Sequence, residues 1–237
     1  MLDWAVARAA RLSPPERTLA VVRAEHLRWS ERALRGVPAR NLVLEPADRG
    51  TAPGIMLALM QLGRVDPDAT VVLLPCDHHV EGEGILAETI VAAAGVATMR
   101  PELVVVLGTR AATRNPGCPW LVPGTLASTG IAVAKRSALI ALFTATVPDL
   151  VADCVTWWSL EGGRSRGSLY DLIPRRDFNR QVLYKAPTSL AFAEIPSCGF
   201  TDLGSPAKLA RFLRAQAEPA MPAFLRHTLP PTARVSA

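Results

Sequence analysis

Apolar residues fall into two kinds of run along this chain. Short unbroken runs read as strands: TLAVV (18–22), NLVLEP (41–46), TVVLLP (70–75) and ELVVVLG (102–108). The last two are continuous enough to be covered on both faces. Between them, apolar positions recur at helical spacing. Residues 2–12 place Leu2, Val6, Ala9, Ala10 and Leu12 near one face, and residues 25–35 return to the same spacing. After NLVLEP, Thr51 suits an N-cap, Pro53 a first turn and Gly63 an exit. A helix over 85–94 is expected to end near Gly95. Strand and helix therefore alternate through the first 110 residues. That order predicts mostly parallel strands with helical crossovers, an open α/β sheet flanked by helices. Such sheets take ligands at the carboxyl ends of their strands. EPADRGTAP, PCDHHV and GTRAATRNPG all sit at strand exits, so three polar loops are expected to share one rim.

The pattern is less regular afterwards. Residues 110–125 read as loop, rich in Gly and Pro. Residues 130–143 read as a strand running into a helix, and EGGRSRGS (161–168) as a flexible basic loop. SLAFAEIP (189–196) is another strand. Ser205 and Pro206 cap and start a helix. Pro219, Pro222, Pro230 and Pro231 mark a loose tail. One domain over 1–217 followed by a Pro-rich tail over 218–237 is expected, and no internal repeat is present.

Composition narrows the classes. Of 237 residues, 49% are apolar and 20% charged, enough to bury a sizeable core. No stretch reaches the roughly 18 consecutive apolar residues of a membrane helix. The first residues lack the order of a secretory signal, which points to the cytoplasm. Cys76, Cys118, Cys154 and Cys198 are scattered without a C-x-x-C pair, which argues for reduced thiols over a zinc knuckle or a disulfide framework. The net charge of +5 is spread along the chain and aromatics are 5%. That excludes an aromatic-laced nucleic-acid groove and suits a phosphorylated small molecule.

Asp77, at the exit of the third strand, reads either as a turn and cap residue or as a Mg²⁺ ligand. Mg²⁺ takes oxygen donors and usually one or two carboxylates. Asp202, in FTDLGSP, supplies a second carboxylate after a strand. His78 and His79 point to opposite sides of an extended chain, so turn histidines are expected there. Cys76 reads as packing. Glu45, at the end of the second strand, can accept two parallel hydrogen bonds from a planar donor pair. Guanine presents such a pair and adenine does not. Gly50 would let a ring approach the backbone, and Thr51 opens a helix whose first amides bind polar groups. Arg175, Arg176, Arg180 and Lys185 either meet phosphates or form a solvated basic face. EGGRSRGS is not a phosphate-binding loop of the G-K-[ST] type.

NLVLEPADRGTAPGI followed by VVLLPCDHHV resembles the mannose-1-phosphate guanylyltransferases, whose pattern there is E-P-x-x-R-[NG]-T-A-P-A-I and then L-P-[SA]-D-H. LASTGIAVAKRSAL is similar to that family's L-W-N-S-G-M-F-x-x-R-x-x-x-L, and GFTDLGSPAKL to its G-W-x-D-[VL]-G-[ST] segment. The similarity runs in pieces over residues 1–215. It implies a Rossmann-like nucleotidyltransferase fold and the reaction of GTP with mannose-1-phosphate to give GDP-mannose and pyrophosphate. It further implies that Asp77 and Asp202 are catalytic and hold Mg²⁺, and that Glu45, Gly50 and Thr51 read the base. Ser128, Thr129, Gly130 and Lys185 would meet the sugar phosphate.

The sequence also departs from that pattern. The family opens with a strand and a G-G-x-G-[ST]-R loop followed by P-K. MLDWAVARAARL resembles the helix after that point, so the first strand is expected to be missing. A later E-K-P segment is absent, and the family's Asn at the sugar is Ser128. Losing phosphate-binding amides costs about a hundredfold in rate per donor. Three readings follow: a guanylyltransferase acting on mannose-1-phosphate or a similar sugar phosphate, a non-catalytic nucleotide-binding relative, or a regulatory or assembly partner of a full-length homologue. The missing strand would leave open, apolar sheet edges through which copies or partners could pair.

Overall fold

A computed structural model describes residues 1–110, 120–122, 125–161 and 168–217. Its strands are β1 (Ala20–Arg23), β2 (Leu42–Glu45), β3 (Thr70–Leu73), β4 (His78–His79), β5 (Val104–Arg110), β6 (Trp120–Val122), β7 (Leu126–Lys135), β8 (Leu190–Glu194) and β9 (Thr201–Asp202). Its helices are α1 (Leu2–Ala10), α2 (Leu27–Leu34), α3 (Thr51–Gly63), α4 (Glu83–Met99), α5 (Arg136–Thr146), α6 (Pro148–Glu161), α7 (Ser168–Leu172), α8 (Phe178–Gln181) and α9 (Pro206–Ala217). Two compact units divide the chain, Met1–Thr201 and Asp202 onward. Most of the expected 161–168 loop, the 218–237 tail and Cys118 lie outside the described residues. Among the described residues no single helix is long and apolar enough to cross a membrane.

In the first unit β3, β7, β5 and β8 hydrogen-bond in that order, and β6 pairs with β7. β3, β5 and β8 run one way, and β7 runs against them. The expected mostly parallel sheet is therefore mixed: with the reversed β7 between β3 and β5, β5–β8 is its one parallel pairing among the described residues. Strand–helix alternation ends at β5, so it carries no information about the direction of β7. The expected 130–143 strand-to-helix segment is the end of β7 running into α5.

The continuous apolar runs do face two cores. Along β5, Val104 and Val106 pack with residues of α3, α5 and α6, while Val105 and Leu107 pack with α4. All four are buried. β3 alternates in the same way, Val71 and Leu73 to one side, Val72 and Leu74 to the other. Its residues are only half-buried, because within this sheet β3 has a neighbour on one edge alone.

β1 and β2 form a separate parallel pair. Ala20, Val22 and Leu42 face a third cluster with α1 and α2, whereas Val43 joins the cluster containing α3. α2 and α3 therefore cover opposite faces. Strand-helix-strand crossovers are almost always right-handed. A crossover on one face from β1 to β2 and another on the opposite face from β2 to β3 reverses the direction of travel. That puts β3 on the β1 side of β2. Yet β1 and β3 are not hydrogen-bonded to each other.

Three local expectations shift. Gly50, with φ of 84°, is the N-cap of α3, and Thr51 is its first residue. α4 runs through Gly95 to Met99, because Ala93 and Ala97 keep burying one face past the glycine. That burial outweighs the roughly 1 kcal/mol a helical glycine costs. α6 lies in a stretch without a sequence assignment, although Pro148 and Asp149 suit a first turn.

Trp157 of α6 is fully buried, with its ring edge-on to Tyr170 at 5.0 Å. Trp157→Ala should destabilise the protein by about 3–5 kcal/mol. Urea unfolding followed by circular dichroism checks this; a loss under about 1 kcal/mol would contradict the assigned burial.

Candidate functional site

Each sheet presents its own row of strand ends. β1 and β2 finish at Arg23 and Glu45, which are partners in register. β3 stops just before Pro75, Cys76 and Asp77. β5 and β8 finish at Arg110 and Glu194, which pair at 2.7 Å. Because β7 is reversed, its first half lies at the same end of the sheet, with Ser128 opposite Gly108 and Leu126 opposite Arg110.

Glu45 is drawn inward. The Tyr170 hydroxyl donates to its Oε1 at 3.1 Å. Helix α3 passes close by at Gly54, where a Cβ would come within 2.8 Å of Oε1. Glycine at this helical position leaves room for the carboxyl group. Burial pushes the Glu45 carboxyl up to about 7. The Tyr170 hydrogen bond opposes that rise, the Asp48 carboxylate adds to it, and Arg23 opposes it. Tyr170 is raised as well, by burial and then by the neighbouring Glu45. Cys154, fully buried in the same core, is pushed up to about 12 by burial.

The loop from Asp48 to Ala52 is tied to residues 171–178. Arg176 N donates to Arg49 O at 2.9 Å, and Ala52 N donates to Arg176 O at 3.1 Å. Thr51 Oγ1 accepts from Phe178 N at 2.8 Å. A Cβ at Gly50 would clash with Arg176 O, so the face of Gly50 is occupied by protein backbone. Two ion pairs span the junction, Arg49–Asp171 at 2.9 Å and Arg175–Asp48 at 3.0 Å, and Arg176–Asp149 at 2.7 Å ties Arg176 to α6. The backbone amide of Gly50 and Arg175 hold Asp48 below its usual range. Arg175 and Arg176 thus already have carboxylate partners.

Asp77 is half-exposed, and its Oδ1 lies 3.6 Å from His78 Nε2. His78 is buried edge-on against Phe200, while His79 lies edge-on to Trp4 at 5.0 Å. The two histidines form the short strand β4, so both belong to packed structure beyond a simple turn. Cys76 is exposed, so packing does not account for it. Asp202 belongs to the second unit. There its Oδ1 accepts from Gly204 N at 2.7 Å and its Oδ2 meets Lys208 Nζ at 2.5 Å. No group of three or more His, Cys, Asp or Glu that could hold a metal occurs among the described residues.

The segment Ser128–Gly130 lies against the loop that carries Asp77. A Cβ at Gly130 would stand 3.2 Å from Pro75 Cγ. Ser128 Oγ accepts from Gly130 N at 3.2 Å. Thr129 is buried, and its hydroxyl donates to Leu107 O at 2.8 Å. That bond sits beside the break in β5–β7 register between Val106 and Gly108. Lys185 is exposed at the end of a 3₁₀ turn. Tyr170 and the backbone of Arg176 escaped sequence reasoning, and each contacts a residue more than a hundred positions away. The tyrosine, one of two in the chain, was the only compositional signal.

No protein-family model and no curated protein matches this sequence. Solved structures do share its fold. A mannose-1-phosphate geranyltransferase from Thermus thermophilus is 22% identical, with a TM-score of 0.74 over 90% of this chain and 68% of its own. A mannose-6-phosphate isomerase from Helicobacter pylori is 14% identical, with a TM-score of 0.71 over 85% of this chain and 90% of its own. A proposed glucose-1-phosphate thymidylyltransferase from Bacillus anthracis is 15% identical, with a TM-score of 0.51 over 95% and 86%. At these identities the likeness is one of architecture: the chain has a Rossmann-like α/β fold shared with proteins named for sugar phosphates.

Proposed function

We propose that this chain is a cytoplasmic sugar-1-phosphate nucleotidyltransferase that joins GTP and mannose-1-phosphate into GDP-mannose with release of pyrophosphate. The observation that carries this reading is Glu45, a half-buried carboxyl at the carboxyl end of β2, close to Gly54 in the first turn of α3. Its fold relatives are named for sugar phosphates, and one for nucleotidyl transfer.

The chemistry needs no covalent enzyme intermediate. An oxygen of the sugar phosphate forms a bond to the α-phosphorus of the triphosphate, and the bond from that phosphorus to pyrophosphate breaks. Glu45, when ionised, accepts the paired N–H groups of guanine, with Gly50 and Thr51 shaping the approach once the Arg176 backbone gives way. Ser128, Thr129 and Gly130 lie along the sugar side, with Lys185 toward the phosphate. Asp77 and Asp202 would hold Mg²⁺, which supplies charge neutralisation along the phosphates. Carboxylate oxygens are the donors this ion takes, and the half-exposed Asp77 fits that role. At Asp202 the cation would take the place of the Lys208 ammonium.

A second reading, a non-catalytic relative that assembles with a larger homologue, is favoured by one specific feature. β1 and β3 each have an edge with no hydrogen-bonded strand among the described residues. Copies or partners could pair there by strand addition.

Pyrophosphate release from GTP, mannose-1-phosphate and Mg²⁺ decides between the two. Turnover supports the enzyme, whereas nucleotide binding without turnover, or stable co-purification with a homologue, supports the alternative. Glu45→Gln should weaken guanine nucleotides by about tenfold or more and leave adenine nucleotides nearly unchanged. Equal loss for both, measured by calorimetry, would remove the base-reading role. Asp77→Asn should abolish the Mg²⁺ dependence of nucleotide affinity; an unaltered dependence would return Asp77 to a turn residue.

The raised Glu45 pKa adds a pH signature. The free protein holds a proton on Glu45 below about 7, and only the ionised form accepts from guanine. Guanine affinity should therefore rise about tenfold from about pH 6 to about pH 8. Stability has the opposite sign: an unfolded Glu45 releases its proton near its ordinary value of 4.5, so stability falls as pH rises from there to about 7. A guanine affinity that is flat across this window would contradict the assignment.

A further inference from the structure

A cavity of about 200 Å³ lies at the face of α1, away from Glu45, lined by Trp4, Arg8, Arg11, His79, Val80 and Glu83 among others. Trp4, Arg8 and Arg11 are spaced four and three residues apart, so one helix face presents all three. The floor is unusual. Arg8 is 2% exposed, one of the few charged side chains buried in the described chain. Its Nε and Nη2 donate to the two carboxylate oxygens of Glu83 at 3.0 and 2.8 Å, and Nη2 also reaches His78 O at 3.4 Å. Its Nη1 is buried with no hydrogen-bond partner.

A guanidinium carries five N–H donors, so Nη1 leaves two of them without an acceptor. A buried charged donor left unmet loses its hydration with no bond in exchange. Glu83 balances the Arg8 charge, which leaves the exposed Arg11 as surplus positive charge at the mouth. Two guanidinium groups one turn apart, beside aromatic walls, suit an anion with several oxygens on different sides. We infer that this cavity binds a tetrahedral oxyanion, a phosphate group, through Arg8 and Arg11. The inference is independent of the base-reading proposal, since no residue of that site lines the cavity.

Thermal unfolding in inorganic phosphate at constant ionic strength tests it. The melting temperature should rise with phosphate and with sulfate, and should not rise with chloride or acetate. Arg11→Gln, an exposed position, should weaken the apparent phosphate affinity about tenfold without altering the circular dichroism spectrum. Arg8→Lys keeps a charge beside Glu83 but removes Nη1, and should also abolish the phosphate response. If Arg8→Lys fails to fold, Arg11→Gln decides alone. Asp77→Asn separates this cavity from the sheet edge: the response should persist in that variant. A response lost in Asp77→Asn and kept in Arg11→Gln, an equal response to acetate, or no response at all would each overturn the inference.

Discussion

Strand β7 is the constraint on which the first unit depends. It is hydrogen-bonded along both edges, to β3 on one side and β5 on the other, and it runs against both. Alternate residues send Ala132 and Ala134 into one core and Ile131 and Val133 into the other. The small alanines sit on the side that also takes Phe143, Trp157 and Tyr170. Removing β7 would sever β3 from the sheet and separate both cores at once. The same reversal brings Ser128 and Gly130 to the edge where the parallel strands end, beside Pro75.

The exit of β2 is organised by carboxylates held in contrasting surroundings. Asp48 is kept ionised by the Gly50 amide and Arg175, while Glu45, three residues away, is driven toward protonation by burial. Environments that push two neighbouring carboxyl groups apart in this way are typical of sites that bind or react. The arginines near them are not spare cations. Arg49, Arg175 and Arg176 lock the loop before α3 onto residues 171–178, and the Arg176 carbonyl caps the first turn of α3. Any ligand approaching Gly50 meets that lock first.

Much of this was legible in the residues. VVVLG announced a strand covered on both sides, and Val104 to Leu107 alternate between two cores as that run requires. EPADRGTAP announced a strand exit leading into a capped helix, correct to within one residue. Direction was not legible at β7, because period-two patterning is the same forward and backward. Gly95 misled because a glycine signals a stop only where burial does not continue beyond it. The Tyr170–Glu45 bond spans 125 positions, and nothing local to either residue encodes it. The burial of Arg8 has no local signal either, since its partner Glu83 is brought near only by the fold.

The separation of β1 and β2 from the larger sheet has a kinetic consequence. Their four-residue ladder, with Val22, Leu34 and Val37, forms a small core of its own beneath α1 and α2. The neighbouring core of β3, β5 and β7 shares no ladder with this pair and is joined to it through side chains, Val43 packing into that core and Glu45 meeting Tyr170. Amide protons of Ala20 to Arg23 should therefore exchange with solvent through local opening, well before those of Val104 to Leu107, which await global unfolding.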